Sequence, residues 1–324
     1  MKKTFLLLAL LCALPAFIQA QKTYVPDDIF ENYLIQQGWD DVLDDSVLTS
    51  GISTRPLVDV SYKGITDMTG IEDFLALQIL HCENNNISYL VISNASALKQ
   101  LYCQNNSLTS LDVSQNKALT LMVCYNNEIT VLNVNSNVAL TSLSCSSNNI
   151  SKLFADDAAE LTTLLCDWNQ IKLLDLSKNT KLKTLNCQYN QLINLNVHNG
   201  NNAILTSFNA RNNPSLSCIE VDDAVAANSG DAPYTWWSID PASTYSETCI
   251  IFKTYVPDDN FEAALIALGR DNVLDDSVYT YQIANISSLD ISDETIVDLT
   301  GIEDFTGLGQ LNCSNNQLTT LDLS

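Results

Sequence analysis

From Leu77 to Leu195, apolar residues return on a fixed interval of 21. Leu77, Leu98, Leu119, Leu140, Leu161 and Leu182 open successive units, and Leu80, Leu101, Met122, Leu143, Leu164 and Leu185 follow three positions later. Two positions further on come Cys82, Cys103, Cys124, Cys145, Cys166 and Cys187. Ile87, Leu108, Ile129, Ile150, Ile171 and Leu192, and then Leu90, Leu111, Leu132, Leu153, Leu174 and Leu195, complete each apolar set. The second leucine and the cysteine are two residues apart, which places both on one side of a β-strand. The residue between them faces the other way. Each unit is therefore predicted to form one short strand, stacked parallel on the next at roughly 4.8 Å.

Written out, the unit is L-x-x-L-x-C-x-x-N-x-L-x-x-L. This is the leucine-rich-repeat signature, with cysteine in the third leucine position. A seventh unit, through Leu205, Phe208, Ala210 and Asn213, follows a two-residue insertion between His198 and Asn202. The predicted fold is a leucine-rich-repeat solenoid. Its parts are a curved parallel β-sheet, short non-helical or 3-10 convex segments and a small helical N-terminal cap.

A second, partial copy of cap and repeats follows. KTYVPDDIFENYLIQQGWDDVLDDSV begins at Lys22 and KTYVPDDNFEAALIALGRDNVLDDSV at Lys253, and the two align without gaps. In the first, Pro26-Asp27-Asp28 offers a helix start with acidic residues in the first turn. Phe30, Leu34 and Ile35 share a helical face, and Gly38 ends it. Both copies lead through TGIEDF (Thr69 to Phe74, Thr300 to Phe305) into repeats.

The expected organisation is a signal peptide at 1–20, a helical cap at 21–56 and a repeat array at 57–217. A capping segment at 218–252, a second cap at 253–288 and the start of a second array at 289–324 follow. The chain stops in mid-unit at Ser324, which is read as the mark of a piece of a longer protein, because an open solenoid end exposes apolar surface.

The N-terminal run supports export: Lys2 and Lys3 precede an apolar stretch from Phe5 to about Ile18 that is short for a membrane span, and Ala20 suits cleavage. The formal charge is -23, and -25 once the two lysines of the leader are removed. A surface this acidic repels nucleic acid and anionic membrane, so neither nucleic-acid binding nor membrane insertion is expected.

Stacked strands turn the six regularly spaced cysteines into an internal column, where a free thiol packs as a small apolar group. Parallel side chains suit neither the torsion of a disulfide nor the converging ligands of a metal site. Asn85, Asn106, Asn127, Asn148, Asn169, Asn190 and Asn213 follow the strands. Buried amides there are expected to bond the backbone of the turn and form a structural ladder. Cys218 and Cys249 break the period and flank a segment with Trp236 and Trp237. Two readings are open for them: a disulfide, or two unpaired thiols.

These motifs resemble secreted bacterial leucine-rich-repeat proteins whose units read LDCSNNQLTSLDVS, here LNCSNNQLTTLDLS from Leu311. TGIEDF followed by repeats is similar to the internalin group of adhesins. The resemblance implies a secreted or cell-surface binding module, and LSCIEVDDAVAAN with Cys249 resembles the closing element of such arrays.

Ligands of solenoids dock on the inner sheet face. The strand residues exposed there are read as His81, Tyr102, Gln104, Tyr125, Asp167, Trp168, Gln188, Tyr189 and Arg211. Tyr102, Tyr125, Asp167, Trp168, Gln188, Tyr189 and Arg211 are the candidate contacts to a protein or glycan. Trp168 and Tyr189 hold the same place in neighbouring units, so their rings are expected to lie close together. Ser142, Ser144, Ser146 and Ser147 make one unit almost featureless.

The acidic runs at Asp40, Asp41, Asp44 and Asp45 and at Asp271, Asp275 and Asp276 lack the glycine-centred spacing of a calcium loop and read as a solvated cap surface. With two histidines, His81 and His198, and no nucleophile, phosphate-loop or zinc motif, no enzyme activity, metal or cofactor is expected. The alternatives to a binding module are a structural spacer in a longer surface protein and the non-catalytic part of an extracellular enzyme.

Overall fold

A computed structural model describes residues 20–249, 252–271, 273–284 and 286–321. The expected signal peptide at 1–20 lies, apart from Ala20, outside the described residues. The chain divides into two compact units, Met1–Thr248 and Cys249–Ser324.

The first unit begins with strand Lys22–Tyr24, paired antiparallel to Ser46–Leu48. Helix Asp28–Gln36 buries Phe30, Tyr33 and Leu34 against the repeats. Asp27 caps it: one carboxylate oxygen accepts from the amides of Ile29 and Phe30, the other from the amides of Thr66 and Asp67 and the Thr66 hydroxyl. One side chain thus fixes both the helix start and the helix's position on the array. The TGIED glycine is forced by packing. Gly70 has φ 103°, and a Cβ there would sit 2.8 Å from the Tyr24 carbonyl oxygen.

Eight parallel strands form the main sheet: Leu57–Asp59, Ile79–His81, Gln100–Tyr102, Leu121–Val123, Ser142–Ser144, Thr163–Leu165, Thr184–Asn186 and Ser207–Asn209. Their central residues Val58, Leu80, Leu101, Met122, Leu143, Leu164, Leu185 and Phe208 are in register and buried.

The opposite wall is not helical. It consists of a strand pair, Val131–Asn133 with Lys152–Phe154, and a four-stranded sheet of Leu173–Asp175, Asn194–Asn196, Cys218–Glu220 and Thr244–Ser246. Leu132, Leu153, Leu174 and Leu195 point inward from this wall. The core is the filling between two narrow parallel walls joined by turns.

An aromatic cluster covers the last repeats. Trp237 stacks on Phe208 with centroids 4.1 Å apart, and its indole donates to the Leu205 carbonyl at 3.0 Å. Tyr234 packs edge-on to Trp237 and donates its hydroxyl to Asn202. Cys218 and Cys249 are both disulfide-bonded residues.

The second unit repeats the cap. Strand Lys253–Tyr255 pairs with Ser277–Tyr279, Asp258 caps helix Asp259–Ala267, and Ser288–Asp290 pairs in parallel with Gln310–Asn312. Its core is built around Phe261, Leu265, Ile302 and Phe305.

Candidate functional site

The two internal columns come first, because they set the register of everything on the surface. Cys82, Cys103, Cys124, Cys145, Cys166 and Cys187 are free thiols without solvent exposure. Burial pushes all six thiols up. Beside them runs the asparagine ladder. The Asn148 amide nitrogen donates to the carbonyls of Cys124, Cys145 and Ser146, while its oxygen accepts from the Ile129 amide at 3.0 Å. Asn106, Asn127, Asn169, Asn190 and Asn213 repeat this pattern, each tying its own turn to the preceding one. At the start of the row, the Asn85 oxygen takes three amides, from Lys63, Gly64 and Ile65.

A second ladder escaped the sequence reading. Asn116, Asn137 and Asn179 are fully buried. The Asn137 amide donates to the carbonyls of Val113 and Asn116, and that of Asn179 to those of Ala155 and Ala158. The signal was the same 21-residue interval, interrupted by Ala95 and Ala158 in this register.

On the outer face of the main sheet, the structure corrects one placement. Of the nine residues assigned to strands, only His81 and Tyr102 are strand residues. Gln104, Tyr125, Asp167, Gln188 and Arg211 lie two positions past the last strand residue of their units. Trp168 and Tyr189 lie one position further, in the turn. That turn position is left-handed in every unit: Asn84, Asn105, Asn126, Ser147, Trp168, Tyr189 and Asn212 all have φ between 52° and 59°. Asparagine tolerates this region well; large aromatic residues seldom occupy it.

The rings of Trp168 and Tyr189 stack with centroids 3.9 Å apart and planes 12° apart, and the two residues are 53% and 40% exposed. Asp167 precedes Trp168 and accepts from the Ser146 hydroxyl at 2.6 Å. Gln188 accepts from Asn209 at 2.8 Å, and Arg211 is exposed. Toward the N-terminal end of the sheet a second pair forms, His81 on Tyr102 at 4.3 Å, with Glu83 3.3 Å from the imidazole. The sequence reading named both residues but not their contact. Tyr125 stands between the two pairs, on the N-terminal side of the serine-rich unit.

In the caps, three groups of carboxylates come close enough to share a cation: Asp28, Glu31 and Asp45; Asp259, Glu262 and Asp276; and Glu262, Asp271 and Asp275. The protein already uses the central one of each copy. The buried Glu31 carboxylate accepts the amides of Asp44, Asp45 and Ser46, and Glu262 those of Asp275, Asp276 and Ser277. No helix among the described residues is long and apolar enough to cross a membrane.

No family model matches the chain. Internalin J of Listeria monocytogenes serotype 4b (strain F2365) is 44% identical over 73 residues, which is 22% of this chain and 8% of that protein. The chain therefore matches only a small part of the length of this relative. The solved internalin C2 of Listeria monocytogenes 4b F2365 superposes with a TM-score of 0.54 at 18% identity, covering 70% of this chain and 98% of that one. An internalin from the same strain (inlF) gives 0.50 at 18% identity, covering 91% of this chain and 84% of that one. The fold is a leucine-rich-repeat solenoid. Its repeat architecture is similar to that of the solved internalins and is carried here on a cysteine column.

Proposed function

We propose that this chain is an extracellular or cell-surface binding and adhesion module without catalytic activity, which recognises a protein or glycan on the concave, solvent-facing side of its main sheet. The observation that carries the reading is the Trp168–Tyr189 stack. Two large aromatic residues are held exposed, in a backbone conformation where the other units place asparagine or serine. Neither is needed by the core, and exposed aromatic groups of this kind mark interaction surfaces. Tyr102, Tyr125, Asp167, Gln188 and Arg211 supply polar and aromatic contacts on the same face.

The internalin relative points the same way for the class of protein. A spacer role in a longer surface protein is the second reading, favoured by the repeated cap at Lys253. The repeat chain should be screened on arrays of glycans and of extracellular proteins. Trp168→Ala with Tyr189→Ala should remove binding of the partner found; unchanged binding rejects this face, and an empty screen favours the spacer.

A further inference from the structure

The turn residues Asn84 to Asn212 form a column of equivalent positions, with side-chain contacts among Asn84, Asn105 and Asn126 and between Trp168 and Tyr189. At the N-terminal end the Asn105 amide donates to the Asn84 oxygen at 2.9 Å, and Asn126 to Asn105 at 2.8 Å. This leaves the Asn126 Oδ1 pointing up the column, and among the described residues no donor reaches it. At the other end Tyr189 covers one face of the Trp168 ring. The other face looks toward Ser147, whose side chain is too short to continue the stack. Asn126 and Trp168 are two rungs apart, about 9–10 Å. That spacing admits one flat group, with an amide oxygen on one side and an indole face on the other. Asp167 borders the gap with an oxygen that no described residue uses, its partner oxygen being held by Ser146.

We infer that the step at Ser147 is a slot for a guanidinium group, so that the partner docks an exposed arginine between Asn126 and Trp168. The inference rests on the reading of this face as the binding surface. A guanidinium is planar, stacks on indole, and donates along its edge to amide and carboxylate oxygens. A sugar ring can also stack on the indole and donate its hydroxyls to these oxygens, but it brings no positive charge to the negative side of the gap. The formal charge of -23 favours a basic partner over the whole molecule.

The test follows the Trp168 indole resonance, assigned by its loss in Trp168→Phe, during titration with Nα-acetyl-arginine methylamide, its lysine counterpart and cellobiose. The arginine probe should give a saturable shift, with the lysine probe about fivefold weaker. Ser147→Tyr should abolish the response. The column already carries Trp168 and Tyr189 in this backbone conformation, so the variant should fold, and an unchanged melting curve checks that. Ser147→Ala should retain the response.

A silent Trp168, a stronger shift with cellobiose, or full binding by Ser147→Tyr overturns the slot. The arginine-to-lysine comparison uses the unaltered chain, so it still tests the slot should Ser147→Tyr fail to fold. A screened partner that is lost with Trp168→Ala and Tyr189→Ala but indifferent to Ser147→Tyr removes the slot and leaves the binding face standing. A partner indifferent to all three removes both.

Discussion

The side chain of Asn127 joins two turns of the chain at once: its amide nitrogen lies 3.0 Å from the carbonyl oxygen of Cys103 and 3.1 Å from that of Cys124. Its own oxygen accepts the Leu108 amide at 2.9 Å. Asn127→Ala strands the buried Leu108 amide and takes one of two side-chain donors from each carbonyl, Cys103 keeping Asn106 and Cys124 keeping Asn148. The loss should be about 1–3 kcal/mol in urea unfolding. An unchanged midpoint would contradict the ladder's role.

On the other side of the core Asn137 donates to the carbonyls of Val113 and Asn116, but its own oxygen is buried without a partner. Asn137→Ala strands no donor and should cost less than Asn127→Ala, about 1 kcal/mol, whereas replacing the exposed Asn126 should cost under about 0.5 kcal/mol. Equal losses at the buried and the exposed asparagine would mean that burial is not what gives the ladder its weight.

How much of this was legible depended on period and on register. The cysteine and first asparagine columns recur without a break, so inward strands and buried amides could be read directly. The Trp168–Tyr189 contact followed from shared register alone. Their placement in a left-handed turn did not, because the strand ends at residues such as Leu165 and nothing in a tryptophan signals φ near 55°. The second ladder was hidden by Ala95 and Ala158, which interrupt the asparagines of that column. The strands of the opposite wall are as short as those of the main sheet and carry their own alternation, as in Leu132-Asn133-Val134.

Asp27 makes cap stability depend on acid. Burial alone raises its carboxyl, but bonds from the Thr66, Phe30 and Asp67 amides and the Thr66 hydroxyl together outweigh this and hold it below the ordinary 3.8. A folded value below the unfolded one adds stability above the unfolded value, and that stability is lost as pH falls through the folded one. Melting temperature should thus drop below about pH 4, and the drop should be smaller in Asp27→Asn. An identical acid profile in the variant would contradict the assignment.

The buried carboxylates of Glu31 and Glu262 each accept three amides from the acidic cap loops. A chelator should leave the melting curve unchanged, while Glu31→Gln, which weakens three amide bonds at a buried site, should lower stability by about 1–3 kcal/mol. A chelator-dependent melt would reassign these carboxylates to metal binding.

The central claim is that successive turns stack around a dry column of sulfur. Thiol titration tests it most directly. Burial raises the six column thiols above the ordinary 9.0. Their contribution to stability is therefore full below about pH 9 and declines as pH rises further, because the unfolded thiols ionise first. At pH 8 in native buffer, Cys82, Cys103, Cys124, Cys145, Cys166 and Cys187 should resist a maleimide reagent, and all six should react once the chain is unfolded in denaturant. Prompt labelling of the native column, at Cys124 or Cys145 above all, would contradict the stack.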